Sequence, residues 1–182
     1  MQKSKGFVSA VMFVMTLAMV ACASTRTQKS AGEQIDDTVT TASVKSALIA
    51  DSTTKAYQID VETFKGTVQL NGFVDSAASK QRATEIAQKT KGVTAVRNNL
   101  TVKTDSHAAA DMVDDGAITT KVKSALAGDP RTKAGQINVE TSDGQVQLSG
   151  FVDTSEAKST AEELARSVEH VKSVNNQIDV KK

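Results

Sequence analysis

Apolar and polar residues alternate up to the glycine in the stretch from Val68 to Asp75, and the same pattern returns from Val146 to Asp153. The two copies read VQLNGFVD and VQLSGFVD, and they are offset by 146 − 68 = 78 residues. Alternation is the period of a half-buried β-strand, and a glycine inside such a strand marks a bulge or the close approach of another element. The pattern therefore predicts one kind of strand, used twice and each time followed by a helix.

The same order of elements is predicted around each copy. In the first unit, apolar residues at helical spacing begin after Asp36-Asp37 and predict a helix. Two stretches of alternating residues on either side of a Phe64-Lys65-Gly66 turn predict a hairpin. A second helical stretch then precedes a last strand. The second unit repeats this order, with Ser142-Asp143-Gly144 as its turn. About half of the aligned positions are identical, which indicates an internal duplication. The expected domains are residues 37–103 and 115–182, each αββαβ, with a polar linker at 104–114.

Three pairs of positions in the repeated motif have predicted structural roles. Gly72 and Gly150 are expected where the second helix of each domain packs too close to the strand for a side chain. Asp75 and Asp153 end the strands, and their carboxylates are expected to cap the helices that follow. Phe73 and Phe151 are expected to fill the core at the end of the strand.

The start of the chain predicts export. Lys3 and Lys5 precede an apolar run that ends at Val20, too short to span a bilayer comfortably, so residues 1–21 are predicted to be a signal peptide. Cys22 is the only cysteine, and its position resembles the lipobox of bacterial lipoproteins, in which this cysteine is acylated. That resemblance implies a lipid anchor in the outer membrane, facing the periplasm, with residues 22–36 as a flexible tether. The alternative is an ordinary signal peptide and a soluble periplasmic protein.

Composition excludes several kinds of function. Removal of two lysines with the signal leaves 20 basic and 21 acidic residues, so a nucleic-acid partner, which calls for a basic surface, is not expected. No cofactor, metal site or catalytic group is predicted, because His107 and His170 are far apart and Cys22 is assigned to acylation. The paired acids Asp36-Asp37 and Asp114-Asp115 precede helices, where capping is a commoner role than binding a cation.

The V-x-L-x-G-x-V motif, followed by a helix and a closing V-x-x-V-x-N strand, resembles the BON-domain family in both units. The resemblance implies an α+β fold of two tandem αββαβ domains, each a three-stranded mixed sheet with two helices on one face. It also implies a role in maintaining the cell envelope, with binding of phospholipid as the activity proposed for the module.

The second domain carries the candidate lipid-binding residues. Four basic residues surround its first helix and the loop after it: Lys121, Lys123, Arg131 and Lys133. A basic residue near an anionic bilayer contributes about 1 kcal/mol of attraction, so these four are predicted to bind phospholipid headgroups. Two other interpretations stay open: a merely solvated helix face, and a module that binds envelope proteins or client strands at its sheet edges. An enzyme is the remotest.

Overall fold

The computed structural model describes residues 31–54, 59–103 and 115–182. The signal peptide, Cys22, residues 22–30 of the expected tether, His107 and the linker at 104–114 lie outside the described residues. The first domain consists of α1 (Ala31–Ala50), β1 (Ile59–Phe64), β2 (Thr67–Val74), α2 (Ala77–Lys89), β3 (Ala95–Asn98) and β4 (Thr101–Val102). The second consists of α3 (Asp115–Gly128), β5 (Ile137–Ser142), β6 (Gln145–Val152), α4 (Ser155–Ser167) and β7 (Ser173–Val180).

Each domain forms one small mixed sheet. β1 and β2 are antiparallel and β2 pairs in parallel with β3 and β4, while β5 and β6 are antiparallel and β6 pairs in parallel with β7. A short 3-10 turn, Ala134–Gln136, leads into β5. The predicted α+β class and the αββαβ order are confirmed. In the first domain the closing strand is interrupted between Asn98 and Thr101, which divides it into β3 and β4.

Both hairpins close with two-residue turns in which each residue has a positive φ. The φ angles are 50° and 73° at Lys65 and Gly66, and 53° and 76° at Asp143 and Gly144. Positive φ at both positions is the geometry that matches the twist of paired strands, and glycine adopts it without steric cost. The turns therefore fix the register in which Val61 faces Leu70 and Val139 faces Leu148.

The core of each domain lies between its two helices and one face of its sheet. Alternate strand residues point to the helices, so β2 contributes Val68 and Leu70, and β6 contributes Val146 and Leu148. The helices bring Val44 and Leu48 in the first domain, and their equivalents Val122 and Leu126 in the second. The repeat thus generates two separate cores from the same apolar positions.

The faces of β2 and β6 that point away from the helices pack against each other. Their side chains are polar but fully or nearly fully buried: Gln69, Asn71, Gln147 and Ser149. Because a buried polar group needs a partner, this face is where hydrogen bonds between the domains are expected, and they are described below.

Helix α1 starts earlier than the sequence predicted. It begins at Ala31, so residues 31–36 are helical, where a flexible tether was expected to extend to residue 36. The polar composition of this segment hid the helix, because its first turns show no apolar periodicity.

Candidate functional site

The four basic residues predicted to bind phospholipid all lie beside carboxylates. Lys121 Nζ is 3.7 Å from Glu169 Oε2, and Lys133 Nζ is 2.7 Å from Asp153 Oδ2. The Arg131 guanidinium donates two hydrogen bonds to the Asp129 carboxylate, at 3.0 and 2.6 Å, and these bonds lower the pKa of Asp129 to about 2. Burial raises the pKa of Glu140, and the charge of Lys123 acts in the opposite direction. The cluster is therefore basic in sequence but balanced by acids in space.

The same four residues do not converge on one surface. Lys121 and Lys123 are two positions apart on α3, which separates them by about 200° around the helix axis. Lys121 faces the turn after α4, where Glu169 lies, whereas Lys123 influences Glu140 on β5. Lys133 belongs to a different group, because Asp153 bonds both Lys133 and Lys181, with Lys181 Nζ 2.8 Å from Asp153 Oδ1.

Asp75 and Asp153 do not cap the helices that follow them. The caps are the next residues: Ser76 accepts from the Ser79 amide and Thr154 accepts from the Ala157 amide. Asp153 instead accepts hydrogen bonds from Lys133 and Lys181. These bonds lower the pKa of Asp153 to about 2, and the bond from Lys133 has the larger effect. In the first domain, Asp75 Oδ1 lies 3.9 Å from Nζ of Lys103, the equivalent of Lys181. Asp75 and Asp153 therefore both form ion pairs with a lysine of the closing segment.

The two glycines of the repeated motif have positive φ angles, 112° at Gly72 and 120° at Gly150. A side chain at Gly150 would overlap the backbone carbonyl oxygen of Gln136, the last residue of the 3-10 turn before β5. The neighbour that excludes a side chain at Gly150 is therefore the backbone that leads into β5, and not the helix that the sequence suggested. Residues other than glycine rarely adopt this backbone conformation.

The amides of the same two glycines join the domains. Gly72 N–H donates to Gln147 Oε1 at 2.8 Å, and Gly150 N–H donates to Gln69 Oε1 at 3.1 Å. The two pairs occupy equivalent positions of the repeat, so the interface is reciprocal. In each domain a glutamine side chain accepts a hydrogen bond from the glycine amide of the other domain. The other end of each glutamine is also bonded, Gln69 to Asp179 at 2.6 Å and Gln147 to the Asn99 carbonyl at 2.7 Å.

Charged and amide side chains extend the interface to both sides. Asn138 donates to Asp60 Oδ2 and Glu62 Oε1 across the domain boundary, at 2.5 and 2.8 Å. Arg97 of the first domain pairs with Asp179 of the second at 3.1 Å. The sequence carries a signal for this surface, since the repeated motif keeps a glutamine between two buried apolar residues.

An aromatic pair closes one end of the interface. The rings of Phe64 and Phe151 stack with centroids 5.3 Å apart and an angle of 28° between their planes. Lys65 Nζ and Lys181 Nζ lie 5.5 and 5.8 Å from the centroid of the Phe64 ring. At this distance the face of an aromatic ring attracts a cation. Phe151 was expected to fill the core, but its ring lies between the domains. Phe73 is buried.

Two cavities meet at this aromatic pair. The larger, of about 630 Å³, is lined by Phe64, Phe151, Lys133, Asp153 and Lys181, among others. The smaller, of about 400 Å³, shares both rings and Lys181 and adds Arg97, Asp179 and Val180. Both cavities are formed by residues of the two domains together.

Asp37 and Asp115 perform a role that the sequence did not suggest. Asp37 accepts from the Lys65 and Gly66 amides, each at 2.8 Å, and Asp115 accepts from the Asp143 and Gly144 amides at 2.8 and 2.9 Å. They were expected to stabilise the start of their own helices. Each instead binds its first helix to the hairpin turn of its domain.

Within residues 31–54, 59–103 and 115–182, no group of three or more His, Cys, Asp or Glu side chains is arranged to hold a metal ion. Over the same ranges, none of the helices combines the length and the apolar character needed to cross a membrane. His170 has a left-handed backbone, with φ 69°, and its ring lies 3.5 Å from Glu169 on the surface.

Known proteins share this chain's pattern over both domains. The family model described as "BON domain" matches residues 36–104 and again 114–182. The chain is 37% identical over 151 residues to "Osmotically-inducible protein Y" of Escherichia coli (strain K12), covering 82% of this chain and 75% of the relative. It is 34% identical over 147 residues to "Outer membrane lipoprotein DolP" of Haemophilus influenzae, covering 80% and 75%. It is 32% identical over 148 residues to the "21 kDa hemolysin" of Actinobacillus pleuropneumoniae, covering 80% and 75%.

Proposed function

The chain belongs to the BON-domain family, and from that premise we propose that it is a non-enzymatic protein of the cell envelope. Its relatives support a role in the envelope and in osmotic stress. More specifically, we propose that it is anchored to the outer membrane through Cys22, faces the periplasm, binds anionic phospholipid and supports the integrity of that membrane. Envelope proteins are proposed as further partners.

One observation carries the anchoring. A relative named as an outer-membrane lipoprotein aligns with 80% of this chain, and here Cys22 stands at the end of an apolar N-terminal run. Acyl chains contribute about 0.8 kcal/mol for each buried methylene, so several chains on one cysteine hold a protein stably.

The anchor is tested by Cys22→Ser in the full-length chain. We expect secretion to continue and acylation to be lost, so that the protein moves from the membrane fraction to the soluble periplasmic fraction. Mass spectrometry of the mature N-terminus provides the direct measurement. A serine variant that still sediments with outer membranes in high salt contradicts the anchor.

Lipid binding by the second domain depends on whether phospholipid competes with the carboxylates. The side chains of Lys121, Arg131 and Lys133 remain 53, 54 and 60% exposed although each has an acidic partner. An exposed ion pair contributes only about 0–1 kcal/mol, so a surface dense in phosphate can replace such a partner. We propose that Lys121, Lys123, Arg131 and Lys133 bind anionic headgroups in this way, as separate contacts spread over the domain surface.

The test is sedimentation of the mature chain carrying Cys22→Ser with neutral and anionic vesicles. We expect binding to anionic vesicles that weakens with salt, because screening acts within about 8 Å at physiological ionic strength. Lys121→Glu together with Lys123→Glu reduces this binding strongly, whereas Lys45→Glu, the equivalent of Lys123 in the first domain, has a smaller effect. Full binding after the double reversal contradicts the assignment of these residues.

The alternative of holding client strands at a sheet edge is less well supported by the backbone. The Asn99 and Lys103 amides point inward to β2, and the Lys181 amide points inward to β6, so the alternate amides of Leu100 and Ile178 point outward. These outward amides already donate to the side chains of Asn98 and Asn176, at 3.0 and 3.2 Å. A client strand that added to either of these edges would have to displace the asparagine there.

A further inference from the structure

The two ends of the interface between the domains differ in a way that points to a ligand. At one end Phe64 stacks on Phe151, whereas at the equivalent positions of the other end the pair is Ser142 and Phe73. Only the first end therefore presents two stacked rings contributed by different domains. Those rings form the shared wall of the cavities of about 630 and 400 Å³.

The larger cavity brings cationic groups to one side of the rings. Lys133 and Lys181 share the single carboxylate of Asp153, so these three side chains together carry one positive charge in excess. Glu62, the other carboxylate that lines this cavity, accepts a hydrogen bond from Asn138 and offsets this charge, so any excess of positive charge comes from the smaller cavity. The Lys181 ammonium also lies over the Phe64 ring, so a cation and an aromatic face are presented together.

The smaller cavity adds apolar and cationic groups together. It adds Val180 to the two phenylalanine rings, and its ionic groups are the paired Arg97 and Asp179 together with Lys65, Lys181 and Lys182. The two cavities are lined by five basic and three acidic side chains around the rings, so a molecule that spans both meets an excess of positive charge beside an apolar wall. That is the chemistry of an anionic amphiphile.

We propose that this groove, formed by Phe64, Phe151, Lys133 and Lys181, binds one molecule of anionic phospholipid. The phosphate contacts the two lysines, and the start of an acyl chain lies against the rings and Val180. This inference rests on the proposed binding of anionic phospholipid, but it places a lipid between the domains, away from Lys121 and Lys123 on α3. It requires the two domains to remain packed as described.

The experiment is an NMR titration of the mature chain carrying Cys22→Ser, with dihexanoyl-phosphatidylglycerol below its micelle concentration. Amide shifts are expected at Phe64, Phe151 and Lys181. Dihexanoyl-phosphatidylcholine tests the charge and glycerol 3-phosphate tests the chain, and each is expected to bind about tenfold more weakly.

Matched variants come from the repeat itself. Phe64→Ser introduces the residue found at the other end, and it is expected to weaken binding of the phosphatidylglycerol by about five- to tenfold. Lys181→Ala is expected to act alike, while Lys103→Ala, at the equivalent position of the first domain, leaves binding unchanged. The Gly72 and Gly150 amides report whether the domains stay packed in each variant, and their shifts are expected to be unchanged.

Two results overturn this site. Binding at full strength in Phe64→Ser with the domains still packed is one, and amide shifts confined to α3 are the other. Either leaves the proposed function standing, because the protein still binds the lipid. If the wild-type chain binds neither the short-chain lipid nor anionic vesicles, the proposed lipid binding fails together with this site.

Discussion

The two domains share several internal hydrogen bonds but differ where they face each other. Thr54 and Thr132 each close the end of the first helix, bonding the Leu48 and Leu126 carbonyls at 2.6 Å in both domains. Asn98 and Asn176 likewise fix the second helix to the closing strand, through the Lys80 and Lys158 carbonyls. Positions that build each domain have therefore stayed alike.

Asp60 and Asn138 show what the differences accomplish. They occupy equivalent positions on β1 and β5, and Asn138 donates one hydrogen bond to Asp60 itself and another to Glu62. An aspartate at both positions would place carboxylates against one another, which raises the free energy of a partly buried contact. The comparison teaches that a reciprocal interface needs unlike residues where equivalent positions meet each other at its axis.

The largest expected effect tests the part of the comparison in which the domains agree. Gly150→Val puts a side chain against the Gln136 carbonyl at a φ of 120°, and Gly72→Val meets a similar backbone strain at 112°. Each substitution is expected to lower the free energy of unfolding by about 3–4 kcal/mol, measured by urea denaturation. Gly135→Ala is the control, since nothing lies within 4 Å of its side-chain position. An unchanged midpoint in both valine variants would refute this role.

A smaller effect is expected from making the domains more alike. Asn138→Asp removes the donor to Asp60 and Glu62 and adds a like charge, so the free energy of unfolding is expected to fall by about 2–3 kcal/mol. Asn138→Ala removes only the hydrogen bonds and is expected to cost about 1 kcal/mol. Urea denaturation of both variants at neutral pH separates the two contributions. Equal stability of the aspartate and alanine variants would show that repulsion plays no part.

The smallest effect concerns Asp153, which has two lysine partners where Asp75 has the longer contact with Lys103. Its pKa is about 2 in the folded protein, below its ordinary value of 3.8, so its stabilisation is present above about pH 4 and is lost as the pH falls towards 2. Asp153→Asn is expected to cost about 1 kcal/mol at pH 7, allowing for solvent screening, and progressively less as the pH falls through 2. Thermal unfolding across this range measures the difference. A penalty that stays constant down to pH 2 contradicts the ionic role.

Much of the fold could be predicted because it depends on local patterns. The alternation around Val68 and Val146 predicts strands, the turns at Gly66 and Gly144 predict hairpins, and the offset of the repeat predicts two similar units. These signals act over a few residues, so one sequence is enough to detect them. The positive φ at Gly150 was not among them, since it depends on the neighbouring strand.

The face-to-face packing could not be predicted, because nothing within one strand states what its polar face will touch. Gln69 fits a solvated strand face equally well, and only the second domain makes it a buried partner of Gly150. The acidic partners of the basic residues on and after α3 could not be predicted for the same reason. Glu169 and Asp153 lie 48 and 20 positions along the chain from the lysines that they balance, a proximity that the fold alone creates.

The reciprocal pairs of Gln69 with Gly150 and Gln147 with Gly72 have a consequence for symmetry. They are the contacts of a twofold dimer, except that both subunits belong to one chain. In a true homodimer every substitution appears twice, so a stack such as Phe64 on Phe151 would form at both ends. Covalent fusion removes that constraint, and one end can keep its aromatic pair while the other becomes Ser142 and Phe73. The two ends of the interface are thereby different, whereas a twofold axis between two identical subunits would make them equivalent.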